Sequence, residues 1–134
     1  MNSSSQTKRV IFITFPGVKL LDVTGPFQAF SDARTRSDAP PLYEPVLTSL
    51  TGGPIQTDTS ISLETSRLDV EMRKPADIFL VAGGKGIDEA VKNQQLVDAV
   101  TRYAPEANRI ASVCSGALLL ARAGLLVGRR VATH

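Results

Sequence analysis

The sequence predicts an α/β fold, an open sandwich built on a largely parallel sheet. Three observations carry this. Continuous apolar runs rich in β-branched residues stand at Val10–Phe15 and Ile78–Ala82, as strands buried on both faces require. Each run ends in a glycine-containing turn, Pro16-Gly17 after the first and Gly83-Gly84-Lys85-Gly86 after the second. Segments with helical spacing of apolar residues alternate with these strands along the chain, as in a doubly wound sheet.

Residues 1–8 are Ser-rich and polar at their start and read as a flexible tail, leaving 9–134 as one partial domain. The first strand spans Val10–Phe15. A helix is expected from Thr24 or Gly25, with Thr24 capping it, Pro26 in its first turn, and Phe27, Ala29, Phe30 and Ala33 as its packing face. A charged loop with Pro40-Pro41 leads to a strand over Tyr43–Leu50 and a turn at Gly52-Gly53-Pro54. Ile55 to Leu63 alternates apolar with polar residues, as a half-exposed hairpin does. After the strand at Ile78–Ala82, the spacing of Ile87, Ala90, Val91, Leu96, Val97 and Val100 predicts one helix to Tyr103, closed by Pro105. Arg109–Val113 reads as a third buried strand and Ser115–Ala123 as a helix with Gly124 at its C′ position. Val131–Thr133 should open a last strand. Because the chain stops at His134 without a closing helix, the domain is expected to be truncated at its carboxy end.

Composition excludes several classes. The chain has 134 residues, 43% hydrophobic and 21% charged, which is globular and neither disordered nor fibrous. One Cys and one His can form neither an intrachain disulfide nor a tetrahedral zinc site. A formal charge of +2 does not mark a nucleic-acid binder, and Arg34-Thr35-Arg36 and Arg129-Arg130 read as solvated surface. The apolar runs near Val10 and Ala117 are too short for a membrane span and lack a signal-peptide cleavage site. A cytoplasmic protein with no cofactor, no metal and no membrane attachment is the expectation.

Three segments carry candidate chemistry. Cys114 lies between a strand and a helix in Ser112-Val113-Cys114-Ser115-Gly116, the position of a nucleophile elbow. There a following helix directs free amides at the sulfur and favours thiolate. The same residue types also suit a small buried hydrophobe. Asp22, in Leu21-Asp22-Val23-Thr24-Gly25-Pro26, falls at the carboxyl edge of the sheet, where ligand sites of open α/β sheets gather. If protonated it can donate to a thiolate; as a helix-entry residue it has a purely structural role. Gly83-Gly84-Lys85-Gly86 is either a cleft of inward-pointing amides or a plain tight turn.

Together the segments resemble the ThiJ/PfpI superfamily, of the class I glutamine-amidotransferase-like fold. The markers are Leu21-Asp22-Val23-Thr24-Gly25-Pro26, Val81-Ala82-Gly83-Gly84, Ala111-Ser112-Val113-Cys114-Ser115-Gly116-Ala117, and Gly128 to His134. The resemblance implies a flavodoxin-like three-layer sandwich and a homodimer. It implies catalytic roles for Cys114, Asp22 and Ser115, and ligand contacts from Gly83, Gly84, Gly116 and His134. Arg102-Tyr103-Ala104-Pro105 and the run Arg109 to Cys114 look more like the ligand-sensing amino-terminal domain of GlxA-type AraC-family regulators. That reading implies a small-molecule ligand and no nucleic acid bound by this chain alone. The isonitrile hydratase group, with a Cys nucleophile and an acid, is the alternative. Ser115 directly after the Cys sets the chain apart from family proteases that carry His there.

Overall fold

In the computed structural model, which describes residues 7–134, strand β1 (Lys8–Ile13) occupies an inner position in a six-stranded sheet. It pairs in parallel with β2 (Tyr43–Ser49) on one side and β5 (Ile78–Val81) on the other. Beyond β2 lies β4 (Ser62–Arg67), and beyond β5 lies β6 (Arg109–Ser112), both parallel to their neighbours. Only β3 (Gly53–Gln56) runs antiparallel, as the outer arm of a hairpin with β4. The chain therefore winds outward from β1 through β2 to β4, then crosses back to β5 and β6. The switch in direction falls between β1 and β5, the kind of place where open α/β sheets gather their ligand sites.

Both faces of the inner strands are buried because alternate side chains pack against helices on opposite sides. On one face Val10, Phe12 and Leu80 meet α1 (Leu20–Asp32). Phe12 lies 5.3 Å from Phe27 and 6.2 Å from Phe30, ring centre to ring centre, in tilted and edge-on arrangements that aromatic quadrupoles favour. On the other face Ile11, Ile13, Phe79 and Val81 pack with α2 (Leu68–Glu71), α3 (Ile87–Ala90), α4 (Gln94–Tyr103) and α5 (Gly116–Arg122). Near the carboxyl edge β1 and β2 are further tied by buried hydroxyls. Thr14 Oγ1 donates to the Thr48 carbonyl at 2.8 Å and Thr48 Oγ1 to the Phe12 carbonyl at 2.7 Å, so neither is an unpaired polar group.

The structure confirms the mostly parallel α/β sandwich and alters several elements. Helix α1 begins at Leu20, earlier than the Thr24–Gly25 start expected from capping chemistry, and Pro26 sits in its interior. Thr24 is no cap; its Oγ1 donates to the Leu20 carbonyl at 3.1 Å. The helix over Ile87–Tyr103 is broken into α3 and α4, because Asn93 is extended and its Oδ1 accepts from Leu96 N–H to start a new helix. Strand β6 is an edge strand, and Ile110 is 39% exposed, so it is not buried on both faces. No strand forms over Val131–Thr133, which is exposed and lacks a ladder partner after the turn at Gly128. Gly124 does close α5: its N–H and that of Leu125 bond to the Ala121 and Leu120 carbonyls in a Schellman pattern. The expected tail over residues 1–8 falls mostly outside the described residues, and Lys8 already belongs to β1.

Truncating a fully enclosed ring, Phe12→Ala, is expected to cost about 3–5 kcal/mol in urea unfolding, the loss typical of a buried aromatic. Asn93→Ala removes the α4 cap and should cost about 1 kcal/mol in the same measurement.

Candidate functional site

The carboxyl ends of β1, β5 and β6 lie side by side, and each is followed by a turn that the sequence marked. Three hydrogen bonds stitch these turns together. Lys19 N–H, at the entry to α1, donates to the Gly83 carbonyl at 2.9 Å, Gly86 N–H donates to the Gly17 carbonyl at 3.0 Å, and Gly84 N–H donates to Ser115 Oγ at 3.1 Å. The approach is so close that a Cβ at Gly83 would sit 2.6 Å from Ser115 N, and one at Gly116 would collide with the Val81 carbonyl. Glycine is required here by crowding between backbones. Gly84 has a further role, since its amide is already donated to Ser115 and is not free to face a ligand.

Cys114 occupies a strained turn. Its φ of +56° is the only left-handed value at a non-glycine among the described residues. Ser115 follows with φ −78° and ψ 3°, and Gly116 N–H bonds back to the Val113 carbonyl at 2.9 Å. This is the pattern of a type II′ turn, with Cys114 where glycine usually stands. Holding a β-carbon there costs on the order of 1–3 kcal/mol, offset by the stitched neighbours. The thiol is free and half-buried.

Asp22 lies in the first turn of α1, not between strand and helix. Its Oδ2 is buried and has no hydrogen-bond partner, alone in this among buried side-chain polar atoms of the described residues. Leaving such an atom unpaired costs about 1–3 kcal/mol, and native structures retain few of them. The structure brings Asp22, Gly83, Gly84, Ser115, Gly116 and Cys114 to one edge, but Asp22 Oδ2 does not bond to the thiol. His134 is exposed. Its neighbour Thr133 reaches the site, donating from Oγ1 to the Cys114 carbonyl at 3.2 Å.

A residue that sequence reasoning missed is Asp58, at the tip of the β3–β4 hairpin. Its Oδ1 accepts from Leu20 N–H at 3.1 Å, and its Oδ2 lies 3.8 Å from Lys19 Nζ. Its own N–H donates to the Val18 carbonyl at 2.9 Å. Asp58 thereby caps the helix that carries Asp22 from 38 residues away. Within Thr57-Asp58-Thr59-Ser60 it looks like ordinary turn chemistry, so no local signal reveals it. Away from the site, a side-chain hydrogen bond from Arg67 holds the Asp69 carboxyl below its usual range. The stability this pair lends is present above that range and fades as pH falls through it.

A model of the DJ-1/PfpI family matches residues 8–134. A Streptomyces lividans protein from the cpoL 5′ region is 36% identical over 127 residues, covering 94% of this chain and 86% of that one. An isonitrile hydratase from Pseudomonas putida is 31% identical over 123 residues, covering 92% of this chain and 50% of its own length. A helix-turn-helix transcriptional regulator of Mycobacterium tuberculosis is 42% identical over 52 residues, 39% of this chain and 20% of the regulator. Among solved structures, a ThiJ/PfpI family protein from Pseudomonas syringae superposes with TM-score 0.78 at 22% identity, over 90% of this chain and 48% of the other. An AraC family transcriptional regulator from Pseudomonas putida gives 0.64 at 22% identity, over 91% and 64%. The chain thus spans about half the length of the hydratase and of the P. syringae protein.

Asp58→Ala should lower stability by about 1 kcal/mol, and Asp58→Asn, which keeps an acceptor for Leu20 N–H, by less. Asp22→Ala is expected to leave stability unchanged or to raise it by up to about 1 kcal/mol, because it removes a buried unpaired oxygen. Denaturant melts of the three variants check both statements; a clear loss of stability in Asp22→Ala would contradict the second.

Proposed function

The chain belongs to the DJ-1/PfpI family, and from that premise we propose that it is the ligand-sensing domain of an AraC-type transcriptional regulator. It binds a small molecule at the crevice beyond β1, β5 and β6. The observation that carries this reading is the unpartnered Oδ2 of Asp22, a buried acceptor that the fold itself leaves unsatisfied. The ligand supplies its missing hydrogen bond. Support for the sensor comes from the similarity to a helix-turn-helix regulator and from the solved AraC family relative. In this reading the protein is a cytoplasmic homodimer, its DNA contacts belong to a helix-turn-helix domain outside these residues, and residues 1–134 alone do not bind DNA. Among the described residues no helix is long and apolar enough to cross a membrane.

A second reading is favoured by the strained Cys114 turn, which lies between β6 and α5, where a nucleophile elbow would stand. In it the chain forms the reacting part of an isonitrile hydratase-like enzyme. The Cys114 sulfur bonds to the terminal isonitrile carbon and Asp22 passes the thiol proton to that same carbon, giving a thioimidate. Water adds to this carbon, one of its protons passing through Asp22 to nitrogen, and the carbon–sulfur bond breaks to return the thiol and release a formamide, with Ser115 orienting the attacking water.

Turnover separates the two. The sensor reading expects no formamide from cyclohexyl isonitrile; product that vanishes in both Cys114→Ala and Asp22→Ala would replace it with the enzyme. The enzyme reading further expects iodoacetamide modification of Cys114 to abolish turnover; turnover that survives full alkylation would count against it.

A further inference from the structure

A cavity of about 460 Å³ opens beside Pro16 and Gly86, and neither Cys114 nor Asp22 lines it. It lies beyond the carboxyl ends of β1 and β2, beneath α3 and the start of α4. Its floor is apolar: Phe15, Ile55, Ala90 and Leu96 line it and are themselves nearly fully buried. Of the hydroxyls that reach it, only that of Thr51, an exposed rim residue, has no partner among the described residues. Thr14 Oγ1 donates to the Thr48 carbonyl, and Ser49 Oγ is bonded to Thr65 Oγ1 and accepts from Gly52 N–H. The floor therefore offers surface for an apolar group and almost no demand for a polar one.

The rim is different. Glu89 and Lys92 stand three positions apart where α3 gives way to α4, both exposed. Neither has an ion-pair or side-chain hydrogen-bond partner among the described residues. Asn93 spends its Oδ1 on Leu96 N–H, which leaves the amide NH₂ free to donate. One carboxylate, one ammonium and the side-chain amides of Asn93 and Gln95 thus stand unspent at one mouth of an apolar hollow. The break between α3 and α4 is what places them there, since a continuous helix would carry Asn93 onward without its capping turn.

We propose that this cavity is a binding site for a zwitterionic amphiphile, an apolar α-amino acid. Its side chain lies on the Phe15–Ile55–Leu96 floor, its ammonium meets Glu89, and its carboxylate meets Lys92 and Asn93. The volume falls in the range of small-ligand sites. A ligand with one charge only would leave the opposite rim charge unpaired. The site is separate from the crevice of the proposed function and stands or falls without it.

Isothermal titration of the chain with L-phenylalanine tests this, with phenylacetate, phenethylamine and glycine as partial ligands. Saturable binding of L-phenylalanine is expected, with glycine about ten- to a hundredfold weaker for want of the apolar group. Each single-charge analogue should bind about two- to fivefold more weakly, and Glu89→Gln and Lys92→Gln should each cost the same factor, with unchanged thermal melting. The affinity should survive Cys114→Ser, which distinguishes this cavity from the cysteine crevice. Absence of saturation, equal affinity for the analogues, indifference to both rim variants, or loss of binding in Cys114→Ser would each overturn the proposal.

Discussion

The molecule depends on the three hydrogen bonds that cross the carboxyl edge of its sheet, from Lys19 N–H to the Gly83 carbonyl, from Gly86 N–H to the Gly17 carbonyl and from Gly84 N–H to Ser115 Oγ. Parallel strands deliver three turns to that edge, but pairing within the sheet does not fix how the turns meet beyond it. The cross-links do, and they require the glycines, because the backbones come within a distance no Cβ allows. The left-handed backbone at Cys114 is tolerable for the same reason: both neighbours of the turn are held, so the strained conformation has nowhere to relax.

The broad fold was readable because its signals are local and repeated. Val10–Phe15 and Ile78–Ala82 are uninterrupted apolar runs, and only a strand covered on both faces uses such a run. Errors arose where a long-range contact replaced a local rule. Thr24 looked like a cap and Pro26 like a first-turn residue, yet Asp58 caps the helix from the hairpin and moves its start to Leu20. The periodicity from Ile87 to Tyr103 concealed a break, because the apolar positions on either side of Asn93 still face one core. Val131–Thr133 has the composition of a strand and no partner to pair with.

The candidate site was legible as a set of residues and not as a geometry. Cys114, Asp22 and the Gly83-Gly84 turn do converge on one edge, because all three follow parallel strands. The roles shift once hydrogen bonds are assigned. Gly84 serves Ser115 and not a ligand, while Asp22 retains a buried oxygen that nothing in the fold satisfies. A carboxylate in that condition opposes folding, so its presence is easier to attribute to binding than to stability.

The capping of α1 by Asp58 bears on the order of assembly. The aromatic middle of that helix, Phe27 and Phe30 against Phe12, forms through contacts of modest sequence separation. Its first turn has no local cap: Lys19 contributes no side-chain bond, and the Leu20 amide waits for a residue 38 positions downstream. Loop closure must come before that bond, so the acid-bearing turn is set only after the hairpin has docked. The cross-links to Gly83 and Ser115 come from still later in the chain. The body of the domain can therefore condense while the carboxyl edge of its sheet is still loose.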